Sequence, residues 1–89
     1  FPVFINIGYG NYVNSDQIVS ISRLDSAPVK RLVQEAKESG NVVDGTQGRK
    51  TKAAILTVSG AVVLSALLPD TIAARAGAIS EENGGKDEA

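Results

Sequence analysis

Seventeen consecutive residues, Ala53 to Pro69, carry no charged side chain. Nothing else in a chain of 89 residues limits the fold so strongly, because such a run has to be taken out of water. A helix across a bilayer is one solution, but seventeen residues sit at the lower limit for a span. The run is also interrupted by Ser59-Gly60 and is rich in Val, Ile and Thr. Those features describe two strands, Lys52 to Val58 and Ala61 to Ala66, turned back on each other at Ser59-Gly60. Alternation puts Ala54, Leu56 and Val58 on one face and Ala53, Ile55 and Thr57 on the other, and both faces are apolar. One is expected to pack on a helix. The other needs a second cover, which a neighbouring subunit could supply.

The helix for the first face is legible. Asp25-Ser26-Ala27-Pro28 is a helix start, with Ser or Asp as cap and Pro28 where its missing N–H is not needed. Val29, Leu32, Val33 and Ala36 recur as an amphipathic stripe up to about Ser39, with Gly40 as the stop. Lys30, Gln34 and Lys37 lie on a polar face, and Arg31 can pair with Glu35 one turn on. Lys30 and Arg31 are either solvated helix charges or a second basic contact surface.

Upstream, Phe1 to Ile7 reads as a strand and Tyr12-Val13 as a short strand or bulge. Gly8-Tyr9-Gly10-Asn11 joins them as a turn, not as a dinucleotide loop, because the later glycine of that fingerprint is replaced by Val13. Gln17 to Leu24 is a further strand, with Ile18, Ser20, Ser22 and Leu24 on one face and Gln17, Val19, Ile21 and Arg23 on the other. Asn41-Val42-Val43 is a short strand, and Pro69 to Ala76 a short helix ended by Gly77. The sum is an α+β chain: a small, mostly antiparallel sheet, one amphipathic helix packed on it and a short C-terminal helix. Residues 1–78 form one domain. Residues 79–89 are an acidic tail, expected to be disordered.

Net charge is −1, but residues 1–78 hold eight cations and six acids while the tail holds one cation and four acids. A mildly basic body is therefore masked by its tail. Neither Cys nor His occurs, so disulfides, thiol or imidazole catalysis and Cys/His metal sites are excluded. An enzyme is not expected, nor a cofactor. No cationic stretch precedes an apolar one at the start, so no secretory leader is expected, and the missing initiator Met points to trimming or a fragment. The densest functional signal is Asp44-Gly45-Thr46-Gln47-Gly48-Arg49-Lys50-Thr51-Lys52. Its glycines make a turn, and three cations follow within four residues at the mouth of the apolar run.

Several stretches taken together resemble a known family: Phe4-Ile5-Asn6-Ile7-Gly8-Tyr9-Gly10-Asn11, Asp25-Ser26-Ala27-Pro28-Val29-Lys30-Arg31, Asp44 to Ala53, Leu64-Ser65 and Pro69-Asp70-Thr71-Ile72-Ala73. In that order and spacing, over roughly residues 3–76, they resemble the RemA family of small bacterial regulatory proteins. The resemblance implies a cytoplasmic, nucleoid-associated DNA-binding regulator, in its best-known members an activator of extracellular-matrix and biofilm genes. It also implies a LytTR-like subunit in a homo-oligomeric ring of seven or eight copies, with double-stranded DNA around the rim and no membrane partner. Gly48-Arg49-Lys50-Thr51-Lys52 matches a family "GRRTR" loop expected to touch DNA. Arg49 is kept, whereas Lys50 and Lys52 keep the charge without the planar fork. Gln17 stands where relatives often carry Arg before the second strand, and Pro28 matches as a structural residue. The DNA-binding candidates are thus Arg49, Lys50, Lys52, Gln17, Lys30 and Arg31, with Gly8, Gly10, Pro28 and Gly48 as structural positions. The alternative is a ring-forming structural or protein-interaction module without a DNA role.

Overall fold

In the computed structural model, which describes residues 3–84 and residues 78–84 by backbone alone, the uncharged run folds back on itself as two adjacent strands. They are β5 (Ala53–Thr57) and β6 (Val62–Ser65), numbered after β1 (Phe4–Gly8), β2 (Asn11–Asn14), β3 (Ile18–Ser22) and β4 (Val42–Asp44). Helix α1 (Ala27–Glu38) lies between β3 and β4, and α2 (Pro69–Gly84) follows β6. The strands β1 and β2 pair antiparallel as a hairpin of their own. The other four form a sheet in the order β3-β5-β6-β4, with β4 parallel to β6 and the remaining pairs antiparallel. Among the described residues no helix is long and apolar enough to cross a membrane.

Strand alternation divides the core. Ala53, Ile55 and Val63 face one way and join Ile7, Val13 and Ile72, with Ile18, Ile21 and Leu67 at the margin. Ala54, Val62 and Leu64 face the other way and join Val33 and Ala36 of α1, with Leu24, Val29, Leu32, Val42 and Leu56 around them. The second cover expected from a neighbouring subunit is therefore supplied within the chain, by the β1–β2 hairpin and α2. Ser65, fully buried, ties that cover to the sheet: its hydroxyl donates to Ile7 O at 2.8 Å and accepts from Leu67 N at 3.0 Å.

Helix α1 begins where the sequence places it. Ser26 is the N-cap, its Oγ accepting from Val29 N at 3.4 Å, and Pro28 occupies the first turn. On the exposed side the i to i+4 contact that forms is Gln34 Nε2 to Glu38 Oε2 at 3.2 Å; the Arg31–Glu35 pair does not form. Two other expectations are corrected. The pairing of β3 with β5 steps from Ile18↔Thr57 to Ser20↔Leu56, so Val19 is an extra, bulged residue. The bulge reverses the alternation, and Ile18 and Ile21 end up on the same core face instead of opposite ones. Helix α2 does not stop at Gly77 but continues to Gly84, through half of the stretch expected to be a disordered tail. The rest of that stretch, residues 85–89, lies outside the described residues.

Candidate nucleic-acid interface

Between β4 and β5 the chain has to pass over the end of β6, because β6 lies between them in the sheet. Both feet of that passage rest on β6: Gly45 N donates to Leu64 O at 2.9 Å, and Lys52 N donates to Ser65 O at 2.8 Å. Two inter-strand spacings amount to about 10 Å, and residues 45–52 reach well beyond that when extended. The surplus is thrown outward as a strap, and it carries Arg49, Lys50 and Lys52, all exposed.

The foot at Gly45 is a close approach. A Cβ there would lie 3.0 Å from Leu64 O and 3.4 Å from Asn11 Nδ2. Asn11 Nδ2 donates to Gly45 O at 3.0 Å and to Gly8 O at 3.0 Å, so the β1–β2 turn braces the strap. Thr46 is buried, and Asp44 Oδ1 accepts from both its N (2.9 Å) and its Oγ1 (2.6 Å). The Thr46 hydroxyl and N–H hold the Asp44 carboxyl below its ordinary range; partial desolvation opposes this and Lys37 adds to it. Gln47 and Gly48 have φ of +54° and +80°, and the turn closes with Arg49 N donating to Thr46 O at 3.0 Å. The glycine at 48 fits a left-handed position that Gln47 occupies only with strain.

The turn delivers Arg49 to Tyr9. Its guanidinium carbon lies 4.1 Å from the centroid of the Tyr9 ring, a cation–π contact. Tyr9 sits at the tip of the β1–β2 turn with φ +52°, between Gly8 (+108°) and Gly10 (+82°).

Lys50, Thr51 and Lys52 form one wall of a cleft of about 340 Å³. Arg23 at the end of β3, Leu24 and Asp25 before α1, Lys30 in its first turn, and Leu68 complete it. Four cations and one acid thus face a shared opening.

The structure brings Arg49, Lys50, Lys52 and Lys30 to one end of the sheet. Arg31 is exposed on α1 and does not line the cleft. Gln17 is at the other end: its carbonyl accepts from Val58 N at 2.9 Å beside the β5–β6 turn, with about 15 Å of strand between it and the strap. Arg23 and Tyr9 are the residues that sequence reasoning missed. Strand pairing put Arg23 beside the strap, which no local pattern reveals. Tyr9, the lone large side chain among turn residues, was a usable signal. Arg75 is occupied elsewhere, its Nη1 donating to Asn6 O at 2.6 Å.

Comparison with known proteins adds an independent line. A family model described as "RemA-like: Extracellular matrix regulatory protein A-like" matches residues 4–76. A "Putative regulatory protein" of Lachnoclostridium phytofermentans is 59% identical over 71 residues, 80% of this chain and 78% of that one. A protein of the same description from Geobacillus thermodenitrificans is 53% identical over 72 residues, 81% of this chain and 83% of the relative. A regulatory protein so described from Clostridium botulinum is 47% identical over 78 residues, 88% and 86% of the two chains.

Proposed function

Because this chain belongs to the RemA-like family of regulatory proteins, we propose that it regulates transcription by binding duplex DNA through the strap at residues 45–52. The observation that carries the reading is the strap itself: Arg49, held over Tyr9, and Lys50 and Lys52 stand out from a loop whose feet are fixed to β6. Arg49, Lys50 and Lys52 contact phosphates, with Lys30 extending the surface. Three or four phosphate contacts bind weakly from a single subunit, so a ring of seven or eight copies multiplies them along one duplex. Gln17, far from the strap within a subunit, and Arg31, turned to solvent, join the interface only through a neighbouring copy or at its rim. The targets proposed are extracellular-matrix genes, from the family description, and the site of action is the nucleoid.

The test is fluorescence anisotropy of a long AT-rich duplex across salt concentration. A salt slope steeper than one subunit's cations can give supports the reading. Arg49→Ala should weaken binding to all sequences alike and flatten the slope by about 0.9 for each phosphate that a copy no longer neutralises. A loss confined to one base position would contradict it.

One observation favours a second reading, a protein-interaction module without DNA binding. Phe4 and Tyr12 are diagonal neighbours on the outward face of the β1–β2 hairpin, 62% and 61% exposed. Absence of duplex binding even at low salt would select it.

A further inference from the structure

The cleft at the foot of α1 holds more positive charge than the fold needs. Arg23, Lys30, Lys50 and Lys52 come from the end of β3, from α1 and from the strap, and Asp25 is the one acid in the lining. Among the described residues none of the four cations has a carboxylate partner within 4.0 Å. Their charge is not taken up by a direct ion pair, so it is available to an anion that enters the cleft. The rest of the lining is suited to one. The Thr51 hydroxyl makes no hydrogen bond among the described residues, which leaves a donor for an oxyanion. Leu68 lines the same cleft while 47% exposed, and Leu24 lies partly buried beside it. An opening of about 340 Å³ falls at the lower end of the 300–1,000 Å³ typical of small-ligand sites. That is more room than a bare phosphate fills.

We propose that this cleft is a phosphate-binding site in which Arg23 and Lys30 act together with Lys50 and Lys52. Its chemistry suits a phosphate ester whose organic part lies on Leu24 and Leu68. The Arg23 guanidinium can fork two phosphate oxygens, and the lysines supply point charge. A DNA backbone phosphate and a free mononucleotide both present that chemistry. In the first case the site deepens the DNA-binding reading and rests on it. In the second it stands alone, and because Lys50 and Lys52 belong to both the cleft and the strap, the free ligand displaces the duplex.

The experiment titrates the protein with adenosine monophosphate, followed by amide NMR, and in parallel with the labelled duplex. Wild type, Arg23→Ala, Lys30→Ala and, as a control on the same helix outside the cleft, Lys37→Ala are compared; all three side chains are exposed, so the fold is retained, and circular dichroism checks it. Saturable shifts at Arg23, Lys30 and residues 50–52 are expected, weakened about fivefold in each cleft variant and unchanged in Lys37→Ala. If the duplex slope also falls by about 0.9 per copy in Arg23→Ala, the occupant is a backbone phosphate. If that slope is unchanged and the mononucleotide displaces the duplex, the occupant is the free ligand. The proposal is overturned if neither mononucleotide nor duplex binding responds to Arg23 or Lys30, or if Lys37→Ala has an equal effect. Should the duplex not bind at all, the mononucleotide arm still decides, so failure of the site and failure of the DNA reading are told apart.

Discussion

Tyr9 combines a strained backbone with a useful ring. A left-handed φ of +52° costs a non-glycine residue about 1 kcal/mol or more, while the stacked Arg49 guanidinium returns roughly 0.5–1 kcal/mol. The stacking fixes the direction of a cation otherwise free on an exposed turn. Tyr9→Ala should therefore lower duplex affinity about threefold to fivefold, and Tyr9→Phe, which keeps the ring, should leave it near wild type by the same anisotropy titration. Asp44 gives a prediction in pH. Its carboxyl is lowered by the hydrogen bonds from Thr46, so the ionised form is favoured by folding. The stabilisation is present above the ordinary carboxylate pKa and is lost as pH falls through the folded-state value. Thr46→Val removes the hydroxyl donor and should raise the Asp44 pKa towards the ordinary value, read by carbon NMR titration of the side-chain carboxyl. An unchanged titration would mean that the N–H of residue 46 suffices alone.

Among the elements, β6 holds the most together, because its end supports the strap and its Ser65 holds the hairpin cover. Ser65→Ala strands the N–H of Leu67 and removes the donor to Ile7 O in a buried place, so a loss of about 1–3 kcal/mol is expected in urea denaturation. Gly45→Ala puts a methyl against Leu64 O and should cost about 1–3 kcal/mol in the same measurement, with weaker duplex binding as the strap shifts. What the sequence declared at this scale were elements with local chemistry. Ser26 and Pro28 announced α1, and Ser59-Gly60 announced the β5–β6 turn. The bulge at Val19 was hidden because a bulge is decided by the partner strand, and it put Ile18 and Ile21 on one face. The length of α2 was hidden for a similar reason. A helical glycine costs about 1 kcal/mol, and Gly77 alone reads as a stop, yet upstream Ile72 is buried in the core and Arg75 is tied to Asn6, which anchors the helix against the hairpin.

For the whole molecule the strand order matters most, and it was the part least visible beforehand. Three cations within four residues were plain to read, but their passage over β6, and the arrival of Arg23 and Lys30 beside them, follow from the order β3-β5-β6-β4. The same order separates Gln17 from the strap, which makes assembly a testable requirement. Alanine at Gln17 should leave cleft binding of a mononucleotide untouched, and should alter duplex binding only under conditions where sedimentation shows oligomers. The braces of the strap have a consequence in time as well as in space. Asn11 reaches Gly45 across 34 positions, and Ser65 reaches Ile7 across 58. Tyr9 and Arg49 likewise come from well-separated parts of the chain. Pairings of such long sequence separation bear the largest loop-closure entropy and come late in folding. A chain still emerging from the ribosome, or one trapped half-folded, holds the three cations but not their arrangement, so the binding proposed for the strap would arise only with the finished fold.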